Sequence, residues 1–175
     1  MHPQQIALIL LNVAGGAAVL ASYAWGMAHP DAGARLWGGV PETWKPLYTL
    51  SMALAALGYF PFTILIGFRL DPARVRIARQ FGFGVFLALY TSVLVPSALW
   101  LPLTFAMIAS PGAILWLAIR VVLFAVAGGS VGILVALLRL SPRPRGWLFP
   151  LALAGCAAFC VQTALLDAFV WPAYW

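Results

Sequence analysis

The sequence predicts an all-α fold: an integral membrane bundle of five transmembrane helices, forming a single domain over residues 1–175. Three observations predict it. Hydrophobic residues make up 64% of the chain and charged residues only 8%, whereas a soluble domain carries about 25% charged residues. Five apolar runs each reach the roughly 20 helical residues that a hydrocarbon core requires. These runs are continuously apolar, without the alternation of a membrane barrel. Ten Lys+Arg and four Asp+Glu cannot clothe a water-facing surface of this size. That excludes an ordinary cytosolic enzyme, a disordered tail and a secreted disulfide scaffold.

The first span is expected over residues 6–28. Its leading stretch, Met1-His2-Pro3-Gln4-Gln5, lacks Lys and Arg, and its apolar run is longer than that of a signal peptide, so a retained helix is expected. The second span is expected over 46–68, the third over 81–108, the fourth over 112–138 and the fifth over 147–171. The third loop is a tight Ser110-Pro111-Gly112 turn. The first loop, from His29 to Lys45, is long and mixes Gly33, Gly38, Gly39 and Pro41 with Trp37 and Trp44. Such a loop suits either a cap over a cavity or an anchor in the headgroup layer.

Charge placement sets an expected orientation. The second loop holds Arg69, Arg74, Arg76 and Arg79, and the fourth holds Arg139, Arg143 and Arg145. The opposite side holds only Arg35 and Lys45. The positive-inside bias then places the N-terminus in the cytoplasm and the C-terminus outside, in a bacterial inner membrane. Clusters of this kind meet anionic lipid headgroups, and no basic stripe for nucleic acid is present. Trp37, Trp44, Trp147, Trp171, Tyr174 and Trp175 fall at expected helix ends, where amphipathic rings prefer the interface.

Groups for catalysis are sparse. His2 and His29 lie outside the spans, which argues against haem ligation by paired intramembrane histidines. Asp31, Glu42 and Asp71 are in loops, without paired-carboxylate spacing. No nucleophile elbow, phosphate loop or zinc spacing occurs. Cys156 and Cys160 stand one helical turn apart in an apolar run and read as buried, inert thiols.

Two charges fall inside spans, Arg120 and Asp167. An intramembrane charge costs about 2.5–3.5 kcal/mol on insertion scales, so an ion pair between these two is expected. Gly128-Gly129-Ser130-Val131-Gly132, and Asn12 with Gly15 and Gly16, suit close helix approach within the bundle or between protomers. Pro96 and Pro102 bracket Trp100 on the third span. Each proline removes a backbone donor, and the carbonyls it frees must be sheltered from lipid. Trp100 is therefore expected to face the bundle interior.

At these residues the sequence resembles the TspO/translocator-protein family of tryptophan-rich sensory proteins. Trp44-Lys45-Pro46-Leu47-Tyr48, with Met52 beyond, resembles that family's Trp-x-x-Leu-Tyr run followed by Met. Ser97-Ala98-Leu99-Trp100-Leu101-Pro102-Leu103-Thr104-Phe105 resembles its Asn-x-x-Trp-Ser-Pro-Leu-Phe-Phe pattern at Trp100, Pro102, Leu103 and Phe105. Leu148-Phe149-Pro150 resembles its Leu-x-Pro-Tyr start to the fifth helix. The chain departs from the family at Ser97 and Leu101, where the pattern has Asn and Ser. It departs again at Leu151, Ala154 and Ala157, where the family carries Tyr, Trp and Phe, and at Gln162, where it carries Asn.

The resemblance implies a membrane protein that binds a hydrophobic small molecule, tetrapyrrole or sterol-like, in an intrahelical pocket beneath the first loop. Aromatic faces dominate flat apolar ligand sites, which points to Trp37, Trp44, Tyr48, Trp100 and Trp116 as the lining. Membrane lipid and a second copy or larger membrane complex are the other expected partners. A structural accessory subunit of such a complex is the alternative from a different class.

Overall fold

The computed structural model describes residues 1–29 and 32–175, so Asp31 lies outside the described residues. Five helices in it are long and apolar enough to cross a membrane. Helix α1 spans Pro3–Met27 and a short α2 spans Ala32–Trp37. Helix α3 spans Lys45–Ile64 and continues as a π-helical turn over Leu65–Arg69. Helices α4 and α5 span Gly84–Ala109 and Ala113–Leu138. Helix α6 spans Leu148–Cys160, then widens into π-helix over Val161–Val170 and tightens to a 3₁₀ turn over Trp171–Tyr174. The expected spans and the tight third turn thus agree with the structure to within a few residues at each end.

Composition explains both the helices and where they face. Bulky apolar side chains such as Leu10, Leu20, Leu57, Phe60, Ile114 and Val121 point outward along the helices. In water that surface would be untenable. Against lipid tails it costs nothing, while helical backbones satisfy their own polar groups. Helix α1 starts on a capping box: the His2 side chain accepts from the Gln4 amide, and Gln5 reaches back to the His2 amide. Pro96 and Pro102 sit inside α4, which remains helical through both.

The spans form a ring in the order α1, α4, α5, α6, α3. The ring closes where the π-helical end of α3 returns to α1. There Gln5 Nε2 donates to the Leu70 carbonyl at 3.1 Å, and Tyr59 Oη donates to Asn12 Oδ1 at 2.6 Å. Small residues set the closest crossings. A Cβ on Gly58 would stand 2.6 Å from the Gly155 carbonyl oxygen, so α3 and α6 meet backbone to backbone. Gly129 in α5 likewise packs on Val93 and the Leu89 carbonyl of α4.

The interior divides by depth. On the N-terminal side Phe62, Ile66, Phe86, Tyr90, Ile133 and Leu137 form an apolar core. On the other side lies a Trp- and Tyr-rich cluster, described below. The two arginine-rich loops are joined, which the sequence reading did not foresee. Strands β1 (Arg76–Ile77) and β2 (Leu140–Ser141) pair antiparallel, and the Ala78 amide donates to the Arg139 carbonyl at 3.0 Å.

Candidate functional site

The far end of α6 organises the aromatic cluster. A π-helical segment followed by a 3₁₀ turn leaves carbonyls that the helix itself does not fully use. Neighbouring elements supply the donors. Tyr48 Oη of α3 donates to the Leu166 carbonyl at 3.2 Å, and Arg120 Nη1 of α5 donates to the Ala168 carbonyl at 2.9 Å. Trp171 Nε1 donates to the Leu36 carbonyl of α2 at 3.0 Å, and the Gly39 amide donates to the Tyr174 carbonyl at 2.9 Å. Three spans and the first loop are thereby tied to one place.

Four of the five aromatic residues expected from the sequence meet there. Tyr48 is buried, and Trp37 stands edge-on to it at 5.7 Å between ring centroids. Trp100 and Trp116 pack on the buried Trp171, at 5.7 and 6.4 Å. Trp44 is the exception: it caps the start of α3 with its ring 43% exposed and takes no part in the cluster. Trp171, expected at the interface, instead forms the middle of the cluster. Trp100 faces inward, between Tyr23 at 6.1 Å and Trp171.

The expected ion pair does not form. Among the described residues the ion pairs are Lys45–Glu42 and Arg74–Asp71. Arg120 turns to the Ala168 carbonyl and lies 4.8 Å above the Phe124 ring, while Asp167 Oδ1 accepts from Gln162 Nε2 at 2.7 Å. The reason is local. In the π-helical segment, residues five apart come onto one face, so Gln162 reaches Asp167 first. A free carbonyl and an aromatic face meet the needs of the guanidinium.

Two buried polar atoms in this region have no partner among the described residues: the Trp100 Nε1 donor and the Gln162 Oε1 acceptor. Buried polar groups are nearly always paired, and an unpaired one costs about 1–3 kcal/mol. Sequence reasoning missed Gln162 because α-helical spacing does not bring it to Asp167.

A cavity of about 350 Å³ opens beside the cluster, lined by Trp25, His29, Arg35, Pro102 and Phe105 among others. The His29 ring lies 4.5 Å from that of Trp25 and 4.7 Å from that of Phe105. Phe105 and Leu101 pack against Trp100, which also packs against the aromatic cluster, so Trp100 stands between the cavity lining and the cluster. The volume falls in the range of about 300–1,000 Å³ typical of ligand pockets. Trp25, His29 and Phe105 were not expected to line it. Their signal in the sequence is position alone, at the last turns of α1 and α4.

No grouping of His, Cys, Asp or Glu suited to a metal ion occurs among the described residues. Cys156 is buried and Cys160 half-buried, both free thiols. Searches of protein-family models, curated proteins and solved structures find no match to this chain.

Proposed function

We propose that the chain is a membrane protein of TspO-like type that binds a flat, hydrophobic small molecule, tetrapyrrole or sterol-like, at the aromatic cluster. The observation that carries this reading is the buried, unpartnered pair of Trp100 Nε1 and Gln162 Oε1. One lacks an acceptor and the other lacks a donor. A ligand hydroxyl can serve either atom, and a tetrapyrrole supplies ring N–H donors and acceptor oxygens. The half-buried rings of Trp37, Trp100 and Trp116, packed around the buried Tyr48 and Trp171, are the flat surfaces for such a ligand. The cavity at Trp25, His29 and Phe105 is the way in from the first-loop side.

In this reading the N-terminus is cytoplasmic, the cluster lies toward the outside, and the membrane is a bacterial inner membrane. The rival, an accessory subunit of a larger complex, draws support from Gly16 and Gly128, where an added Cβ would meet no side chain or neighbouring helix among the described residues within 4 Å. Titration separates the two. Purified protein in nanodiscs, followed by tryptophan fluorescence, is expected to show saturable one-to-one quenching by protoporphyrin or by a fluorescent sterol. A Trp100→Phe/Gln162→Leu variant should bind at least about tenfold more weakly, the loss of two buried hydrogen bonds. Unsaturable, equal quenching of both proteins by both probes would overturn the proposal.

A further inference from the structure

We infer that the cleft between Arg69 and Arg145 is a binding site for the phosphodiester headgroup of an anionic phospholipid. It lies at the end of the bundle opposite the aromatic cluster and does not depend on the function proposed above. A cavity of about 350 Å³ is lined there by Leu65, Arg69, Arg145, Gly146, Trp147 and Leu148, among others. Its two cations come from different elements. Arg69 closes the π-helical turn of α3, in which the Leu70 amide donates to the Leu65 carbonyl at 3.1 Å. That wide turn brings Leu65 and Arg69 to the same cavity. Arg145 belongs to the loop that enters α6.

The site is charged, unpaired and held in place. Seven arginines and one aspartate, Asp71, occupy this end of the molecule, and Asp71 is paired with Arg74. Neither Arg69 nor Arg145 is in an ion pair among the described residues. The β1–β2 ladder fastens the two arginine-bearing loops to each other. Gly146 (φ 102°) turns the chain into α6, whose first turn adds the positive end of a helix dipole to the cavity.

The apolar lining decides which phosphate fits. The membrane spans end at Arg69 and begin at Leu148, so the cavity sits at the rim of the apolar slab. Trp147 is 75% exposed beside it. A soluble anion gains nothing from Leu65, Trp147 and Leu148. A lipid places its phosphate at the two guanidiniums and its acyl chains along the exposed Trp147 and the half-buried Leu148.

Native mass spectrometry of the full chain tests this, after delipidation in detergent and titration with phosphatidylglycerol or phosphatidylcholine. A one-to-one phosphatidylglycerol adduct is expected, at least fivefold stronger than the phosphatidylcholine adduct. Arg69→Gln/Arg145→Gln should reduce it at least fivefold. Arg74→Gln/Arg143→Gln, which removes equal charge away from the cavity, should not. The wild-type comparison of the two lipids holds even if a variant fails to fold. Equal binding of the two lipids would overturn the inference. So would an equal loss in the control variant, or displacement of the lipid by equimolar inorganic phosphate, which would mark a free-anion site.

Discussion

Trp100 and Gln162 each bury one polar atom for which the described residues supply no partner, yet they differ in what else they do. Gln162 also donates to Asp167 at 2.7 Å. Gln162→Leu therefore strands a carboxylate inside the bundle and is expected to cost about 1–3 kcal/mol in unfolding experiments in detergent. Trp100→Phe removes an unsatisfied donor together with part of the indole and keeps a ring against Trp171. Relief of the donor offsets part of the cavity cost, so the net in the ligand-free protein should be about 1 kcal/mol or less. The reverse ranking would mean that the Gln162–Asp167 bond carries no stability. Arg120 offers a second test at this scale. Its partners are the Ala168 carbonyl and the Phe124 ring, not Asp167. Arg120→Leu and Asp167→Ala should then be additive within about 0.5 kcal/mol. A coupling of several kcal/mol in the double-mutant cycle would restore the ion pair.

At the scale of elements, helix crossings rest on glycines that the structure sorts into two kinds. Gly58 and Gly155 touch through their backbones, whereas a Cβ added at Gly128 would meet no side chain or neighbouring helix among the described residues within 4 Å. Gly58→Ala must push α3 off α6 and is expected to cost about 1–3 kcal/mol. Gly128→Ala meets open space and should stabilise α5 by up to about 1 kcal/mol through helix propensity alone. Thermal unfolding of the two variants in detergent checks the contrast, and equal effects would refute the backbone contact. The five spans were legible because continuous apolar runs of helical length have no other use in so weakly charged a chain. The β1–β2 ladder was not, since two-residue strands leave no alternation to read. The Arg120–Asp167 pairing failed for a related reason. Depth along an apolar run can be counted, but the azimuth of Asp167 depends on a π-helical segment that no α-helical spacing anticipates. Trp37, Tyr48, Trp100 and Trp116 were legible as a group from residue type and place. Trp44 carried the same signals and differs only in pointing outward.

The whole molecule is polarised along the ring axis. One end carries seven arginines on loops joined by a short ladder, and the other carries the aromatic cluster with its adjoining cavity. The orientation proposed above, with the arginine end in the cytoplasm, rests on the positive-inside bias. A single cysteine introduced at Gly39 should then react with an impermeant reagent added outside, and one at Ala73 should not; the opposite pattern would invert the orientation. The claim on which the proposed function depends is that the cluster around Trp100 and Gln162 holds a ligand. The most direct measurement is a combined absorption and mass spectrum of gently purified wild-type protein beside the Trp100→Phe/Gln162→Leu variant. The wild type is predicted to retain about one equivalent of a chromophore or sterol-like molecule that the variant lacks. Recovery of phospholipid alone, in equal amount from both proteins, would contradict it.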